Sequence, residues 1–231
     1  MTKLVSILVP SKNRDYFAEN ILRNFYRQDY PKDKIELVIG DEGNSNMKDI
    51  IPKDDDRIRY YKFNNISLGE KRNKLCELSK GEILIFMDDD DFYPFDKVSE
   101  CVNVLNNNDV EITGSSIMYV YFTKQNKILK YGPYGKNHAT CATFAFKRSY
   151  FDNNKFPNVN KAEEKKFLNN YKTNVFQMNE LKSILVIAHN NNTVNKQKFY
   201  KFGKNTDLTL DHFGLNNLDK KFYNSLNNIN Q

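Results

Sequence analysis

The sequence predicts an α/β fold, a mostly parallel central sheet flanked by helices, and two observations predict it. Short apolar runs rich in β-branched residues alternate with helix-periodic segments through residues 1–100, and two of those runs end directly in acid, at Asp41 and at Asp88–Asp91. Alternating strands and helices close most simply into a parallel sheet covered on its faces. Such sheets bind ligands outside the carboxyl ends of their strands, where this chain puts its carboxylates.

The elements follow in order. Leu4 to Val9 is an apolar run ended by Pro10, the signature of a buried strand. Asp15 to Gln28 sets Phe17, Ile21, Leu22 and Phe25 on one helical face. Ile35 to Ile39 is a second buried strand, and Arg57 to Phe63 alternates as a strand nearer an edge. Ser67 and Glu70 form an S-x-x-E helix start, with Gly81 placed as the C-terminal cap. Ile83 to Met87 is a fourth strand that runs straight into Asp88. Pro94 suits a first helical position, and Phe95, Val98, Val102 and Leu105 mark the buried stripe of the next helix. The second half is less regular. Ile112 to Phe122, Ala139 to Phe146 and Ile184 to Ala188 read as strands, and Ala162 to Tyr171 as a short helix. The tail from Asp211 is polar with sparse leucines and aromatics, expected as a helix packed on the surface. No repeat or linker interrupts the chain, so residues 1–231 are expected to form a single domain.

The net charge of +6 is partly spread over solvated faces such as Lys161 to Lys172. No dense basic block interleaved with aromatics stands out, so no nucleic-acid partner is expected. A mildly basic surface suits a polyanionic ligand instead. The three cysteines, Cys76, Cys101 and Cys141, are widely spaced and odd in number. They fit neither a zinc site nor a disulfide framework and read as reduced. The N-terminus lacks the apolar stretch of a signal peptide, and no run approaches the roughly 20 apolar residues of a membrane span. A soluble, cytoplasmic protein without an integral membrane segment is the expectation.

Asp88-Asp89-Asp90-Asp91 is the strongest chemical signal. Adjacent carboxylates repel one another and are costly at a buried strand end unless a cation or water compensates. Hard oxygen ligands suit Mg²⁺ or Mn²⁺, which take one or two protein carboxylates and complete their shell with water and phosphate.

These segments together resemble family 2 glycosyltransferases of the GT-A fold. Residues 5–14, VSILVPSKNR, resemble the family's opening strand and nucleotide loop, and residues 37–45, LVIGDEGNS, its second strand and D-D-G-S-type loop. Residues 69–73, GEKRN, are similar to its G-x-x-x-A-R-N helix with shortened spacing, and residues 81–91, GEILIFMDDDD, to the strand that carries its D-x-D motif. The resemblance implies a nucleotide-binding half over residues 1–100, an acceptor and catalytic half over 101–205, and a helical tail over 206–231. It implies a metal-dependent transfer of sugar from a nucleotide diphosphate donor, expected as a UDP-sugar, to a glycan, protein or lipid acceptor, with inversion. Asp41 would accept a hydrogen bond from the base. Pro10, Ser11 and Arg14 would line the nucleotide pocket, with Arg72 near the base or diphosphate and Asp89 on the donor. Asp90 would contact the metal directly, Asp88 the ribose or a metal-bound water, and Asp91 share either task.

An inverting transfer needs a base for the acceptor hydroxyl, and a carboxylate is the usual solution. Family members place it in an E-D pair at a helix start. Here Glu163-Glu164 stands in that place, so Glu164 is the expected base and Glu163 the second choice. His189, ending the last apolar run, is a candidate extra metal or phosphate ligand. His138, Tyr131 and Tyr134 are candidates to face a sugar, and Lys196 and Lys198 to close over the diphosphate. Two other readings remain: a nucleotide-sugar binder without turnover, and a sugar nucleotidyltransferase, although Pro10-Ser-Lys-Asn-Arg14 lacks the glycines of that class's phosphate loop.

Overall fold

The computed structural model describes residues 2–44 and 46–228. Ser45, the last residue of the expected D-D-G-S-type loop, and residues 229–231 of the tail lie outside them. The chain runs through β1 (Val5–Lys12), α1 (Ala18–Tyr26), β2 (Ile35–Glu42), α2 (Met47–Ile50), β3 (Ile58–Phe63), α3 (Leu68–Leu78), β4 (Ile83–Phe86) and α4 (Lys97–Asn107). It continues through β5 (Ile112–Gly114), β6 (Met118–Phe122), β7 (Lys127–Tyr131), β8 (Ala145–Lys147), α5 (Arg148–Asn153) and α6 (Glu163–Phe167). It ends with β9 (Val175–Gln177), β10 (Leu185–Ala188), β11 (Lys204–Asn205) and α7 (Asn217–Ser225).

The main sheet has the order β3-β2-β1-β4-β8-β5-β9. It is mostly parallel: β8 alone runs against its neighbours β4 and β5. Register puts Ser11 opposite Asp41 and Leu8 opposite Phe86, so the carboxyl ends of β1, β2 and β4 converge. A smaller sheet, β10-β6-β7-β11, stands beside that edge.

Strand alternation builds two cores. Val5, Ile7 and Val9 pack with Ile21 and Phe25 of α1 and Val98 and Leu105 of α4. Leu8, Val38 and Phe86 face the other way, onto Leu75 of α3 and an aromatic group in which Phe156 and Phe167 stack at 3.8 Å. A third core joins the small sheet to the tail through Tyr119, Tyr121, Phe213 and Tyr223.

Several elements differ from expectation, each for a local reason. Residues 15–28 are not one helix: a 3-10 turn over Asp15–Phe17 leads into α1. Residues 112–122 are not one strand. The Ser115 hydroxyl donates to the Ile117 carbonyl at 2.6 Å and accepts from its N–H at 3.1 Å, which turns the chain out of the main sheet and into the small one. The expected strand from Ala139 begins with a 3-10 turn, Cys141–Thr143, and β8 starts only at Ala145. The helix from Ala162 stops at Phe167, because Asn169, Asn170 and Tyr171 adopt left-handed backbone. Ser67 does cap α3, accepting from the Glu70 N–H. That helix closes on Ser79 in extended conformation, and Gly81 caps nothing. A Cβ at Gly81 would lie 2.5 Å from both the backbone nitrogen and the hydroxyl of Ser6, so the glycine permits close strand approach. Pro94 precedes α4, its carbonyl accepting from the Lys97 N–H, and Phe95 is 60% exposed, off the buried stripe. The tail does form a helix on the surface, α7, and it packs there through buried Phe213, Leu215, Tyr223 and Leu226. No helix among the described residues is long and apolar enough to cross a membrane.

Candidate active site

The end of β4 delivers four carboxylates into four different environments. Backbone geometry separates them, because the chain turns immediately after the strand and is pinned there. Asn20 Nδ2 donates to the carbonyls of Asp89 and Asp91 at 2.9 and 3.0 Å, and Asn24 Nδ2 to that of Asp91 at 2.9 Å. The Asp88 N–H donates to the Tyr93 hydroxyl at 2.7 Å.

Asp89 is turned toward β1, where it accepts from Ser11 Oγ at 2.6 Å and from Arg14 at 2.7 Å. Asp90 Oδ2 lies in a cradle of three donors: Arg14 at 3.0 Å, Asn192 at 3.1 Å and His189 Nε2 at 3.3 Å. The Asn191 N–H donates to His189 Nδ1 at 3.1 Å, which sets the neutral tautomer with its proton on Nε2, facing Asp90. Burial holds the imidazole below its ordinary value, with Asp90 opposing. His189 therefore serves Asp90 as a hydrogen-bond donor, and this tautomer offers no lone pair there to a metal. Asp91 Oδ1 accepts from the Ile187 N–H at 2.8 Å, with Lys196 Nζ 3.7 Å away. Asp88 is the most open, its side chain 33% exposed and 3.5 Å from Arg72.

The electrostatics reflect this sorting. Burial raises the Asp88, Asp89 and Asp91 carboxyls above their ordinary range, and the neighbouring Asp90 charge adds to it. Burial acts in the same sense on Asp90, but Lys196, His189 and Arg14 outweigh it and hold that group well below the usual range. Burial also works against the Arg14 charge, and Asp89 and Asp90 overcome it.

A cavity of about 460 Å³ opens beside the run. Its charged lining is Arg72, Asp88, Asp91, Glu163, Glu164 and Lys196, and Val120, Phe122, Tyr131, Tyr134 and Val186 supply apolar wall. Glu163 is buried and accepts from Arg72 Nε at 3.1 Å. Arg72 Nη1 is buried and has no partner among the described residues, although its guanidinium stacks 4.7 Å over Phe86. Glu164 is the freer acid: its one hydrogen bond among the described residues is from Tyr171 at 3.5 Å.

Asp41 lies outside that cavity, buried at the end of β2 beside Ser11. Its Oδ2 accepts from Tyr60 at 2.7 Å and Lys62 at 2.8 Å, while Oδ1 is buried without a partner among the described residues. Pro10 pairs with Gly40 in the β1–β2 register. His138 stands behind Glu164, its ring 5.3 Å from that of Tyr171. Lys198 is exposed, outside the lining.

Of the residues expected at the site, Asp88, Asp91, Arg72, Glu163, Glu164, Tyr131, Tyr134 and Lys196 share one cavity. Ser11, Arg14, Asp89, Asp90 and His189 form a hydrogen-bonded cluster next to it. Sequence reasoning missed Asn20, Asn24, Asn192, Tyr93 and Tyr223. Asn20 and Asn24 left a signal, two amides four apart on the helix face that also carries Phe17, Ile21 and Phe25.

No group of three or more His, Cys, Asp or Glu side chains converges as a metal cage among the described residues. The donor set nevertheless suits a hard cation. Asp88 and Asp91 both face the cavity, and each bears charge that burial makes costly.

Comparison with known proteins agrees with this architecture. The profile of the family described as "Glycosyl transferase family 2" matches residues 6–203. A GalNAc(5)-diNAcBac-PP-undecaprenol beta-1,3-glucosyltransferase of Campylobacter jejuni is 37% identical over 97 residues, covering 39% of this chain and 30% of that protein. The poly(ribitol-phosphate) beta-N-acetylglucosaminyltransferase TarS of Staphylococcus aureus is 26% identical over 92 residues, 38% of this chain and 16% of that protein. The chain thus spans less than a third of the length of either relative. Among solved structures, S. aureus TarS 1-349 in complex with UDP-GlcNAc superposes with a TM-score of 0.65 at 16% identity, covering 86% of this chain and 64% of that one. The mannosyltransferase PcManGT of Pyrobaculum calidifontis, in complex with GDP-Man and Mn²⁺, gives 0.61 at 15% identity over 98% of this chain and 70% of that one. The seven-stranded sheet with its acidic strand end is a GT-A fold, and the chain belongs to glycosyl transferase family 2.

Proposed function

We propose that this chain transfers a sugar from a UDP-sugar to an acceptor hydroxyl with inversion, assisted by a divalent cation, Mn²⁺ or Mg²⁺. One observation carries the reading: a single cavity is lined by two carboxylates of the acidic run, Asp88 and Asp91, and by the weakly engaged carboxylate Glu164. That is the juxtaposition a displacement at a sugar carbon needs, with leaving-group charge at one pole and a proton acceptor at the other.

Asp88 and Asp91 would hold the cation, with Asp90 supporting them from behind the cavity wall. Asp88 and Asp91 already face the cavity, and the three-donor cradle fixes one oxygen of Asp90. When bound, the cation supplies Lewis-acid neutralisation of the departing diphosphate. Arg72 and Lys196 add fixed positive charge in the same cavity. Asp41, whose Oδ1 has no partner among the described residues, would accept the imide N–H of uracil beside Ser11 and Pro10. Arg14 and Asp89 would border the nucleotide from the β1 side. Glu164 takes the acceptor proton as the new glycosidic bond forms. Glu163 orients Arg72 rather than acting as base, because its Oε1 is already engaged.

Neighbours solved with UDP-GlcNAc, with UDP, and with GDP-Man and Mn²⁺ support a nucleotide-sugar donor. Calorimetric titration of nucleotide sugars with and without Mn²⁺, alongside NMR of donor consumption, tests the scheme. Cation-dependent binding of one donor, abolished by Asp88→Ala or Asp90→Ala, is the expected result. A folded protein that binds no donor would overturn it.

A further inference from the structure

The segment that walls the cavity on its far side has a second character. From Leu181 to Thr206 there is no Asp or Glu, while Lys196, Lys198, Lys201 and Lys204 recur with Val194, Phe199, Tyr200 and Phe202. Its backbone is fixed. Tyr200 packs edge-on against Phe122 at 5.0 Å, the Tyr131 hydroxyl donates to the Phe199 carbonyl at 2.9 Å, and β11 pairs with β7. Yet its largest apolar side chains point outward: Phe202 is 67% exposed, and Phe199 and Val194 48% each. Lys201 lies 5.0 Å over the Phe202 ring, and Lys198 and Lys204 are exposed too. The β6–β7 turn joins the same surface, because Gln125 donates to Gln197 at 3.2 Å, and it brings exposed Lys124 and Lys127.

We propose that this surface docks the protein on an anionic phospholipid bilayer. Lysines around outward aromatic and aliphatic side chains are the composition of interfacial anchoring: the rings enter the headgroup boundary and the ammonium groups meet lipid phosphates. A soluble polyanion would satisfy the lysines but leave Phe199, Phe202 and Val194 in water, so charge and apolar exposure together favour the bilayer. Phe199 and Lys196 also line the catalytic cavity, so a docked bilayer brings its headgroup plane to the cavity mouth. The inference extends the transfer reading, and rests on it, in one respect only: it sets the acceptor at a membrane surface.

The chain has no tryptophan, so Phe202→Trp introduces a single reporter. Its emission is expected to shift to the blue with vesicles of phosphatidylcholine and phosphatidylglycerol, and not with phosphatidylcholine alone. In vesicle sedimentation, Phe202→Ser and Lys201→Glu should each weaken association about tenfold, and salt should weaken it further. No blue shift with anionic vesicles would overturn the proposal. So would association that Phe202→Ser leaves unchanged, or equal binding to soluble polyphosphate. Donor binding by calorimetry needs no vesicles and the vesicle readout needs no donor, so the two readings fail separately.

Discussion

The hydroxyl of Tyr223 lies 2.7 Å from the side-chain oxygen of Asn20, 203 positions earlier in the chain, and 3.1 Å from the carbonyl of Asp91. The Asn20 amide then reaches the Asp89 and Asp91 carbonyls, so the tail helix is wired to the backbone of the acidic run. Arg27 clamps the same helix by a bidentate pair with buried Asp219, at 2.9 and 2.7 Å. Tyr223→Phe keeps the packing but leaves a buried Asn20 oxygen without its donor. A loss of about 1–3 kcal/mol in urea denaturation is expected, together with weaker cation-dependent donor binding. Unchanged donor affinity would limit the tail to a structural role.

Glu164 and Glu163 should separate kinetically. Glu164→Gln removes the proposed proton acceptor at nearly constant shape, so kcat should fall about 10²–10⁴-fold while donor affinity holds. Glu163→Gln weakens the only ion pair that orients Arg72 Nε among the described residues, so donor KM should rise more than kcat falls. If the two variants behave in the opposite way, Glu163 is the base.

Asp41 carries a base-recognition test. Its Oδ2 is held by Tyr60 and Lys62, which leaves Oδ1 without a partner among the described residues. Asp41→Asn should lower UDP affinity about tenfold or more, the scale of a lost charge-assisted hydrogen bond. Binding of a nucleotide without the uracil imide should change less. Equal losses for UDP and GDP would remove Asp41 from base recognition.

The parallel half was legible because its signals are local. Strands such as Ile35–Glu42 are buried along their full length, so apolar runs alone reveal them, and the acids at their ends mark the site. The second half depends on distant contacts. Ser115 breaks what reads as one strand by bonding to Ile117, and β7 has only Ile128 and Leu129 buried in its centre. Glu164 stood in a recognisable place at a helix start, whereas the roles of Asn192 and Tyr223 follow from contacts 102 and 132 positions away. The lysines and aromatics of residues 196–204 are contiguous in the sequence, but the outward exposure of Phe199 and Phe202 and the junction with a turn some 70 positions earlier are set by tertiary packing.

Gly81 offers a stability test of that difference between local and distant signals. As a helix cap it would need left-handed backbone, and alanine would be mildly unfavourable. In the structure its constraint is space, because an added Cβ would meet Ser6 at 2.5 Å. Ser6 cannot easily give way, since its hydroxyl donates to Glu36 at 2.6 Å and accepts from the Gly81 N–H at 2.7 Å. Gly81→Ala should therefore cost about 1–3 kcal/mol as overpacking. In Ser6→Ala, where that hydroxyl is gone, the added cost should shrink. Additive losses in the double variant would place the constraint in the backbone instead.

His138 supplies a pH signature. Its ring sits between Tyr134 and Tyr171, at centroid distances of 5.2 and 5.3 Å, and its Nδ1 is buried without a partner among the described residues. Burial lowers its pKa from the ordinary 6.5, and the Glu164 charge offsets this only in part. The unfolded chain therefore binds a proton at 6.5 that the folded chain takes up only at lower pH. Between those two values the unfolded state holds more protons, so stability rises with pH through that window. This contribution is complete above 6.5 and is lost as pH falls toward the folded value. His189 is shifted in the same direction, so the comparison must be between wild type and His138→Gln across about pH 5 to 7.5. The wild type should lose urea resistance more steeply on acidification than the variant. A difference between the two that stays constant with pH would mean that His138 titrates alike in the folded and unfolded chains, and that the tyrosine pair does not shield it.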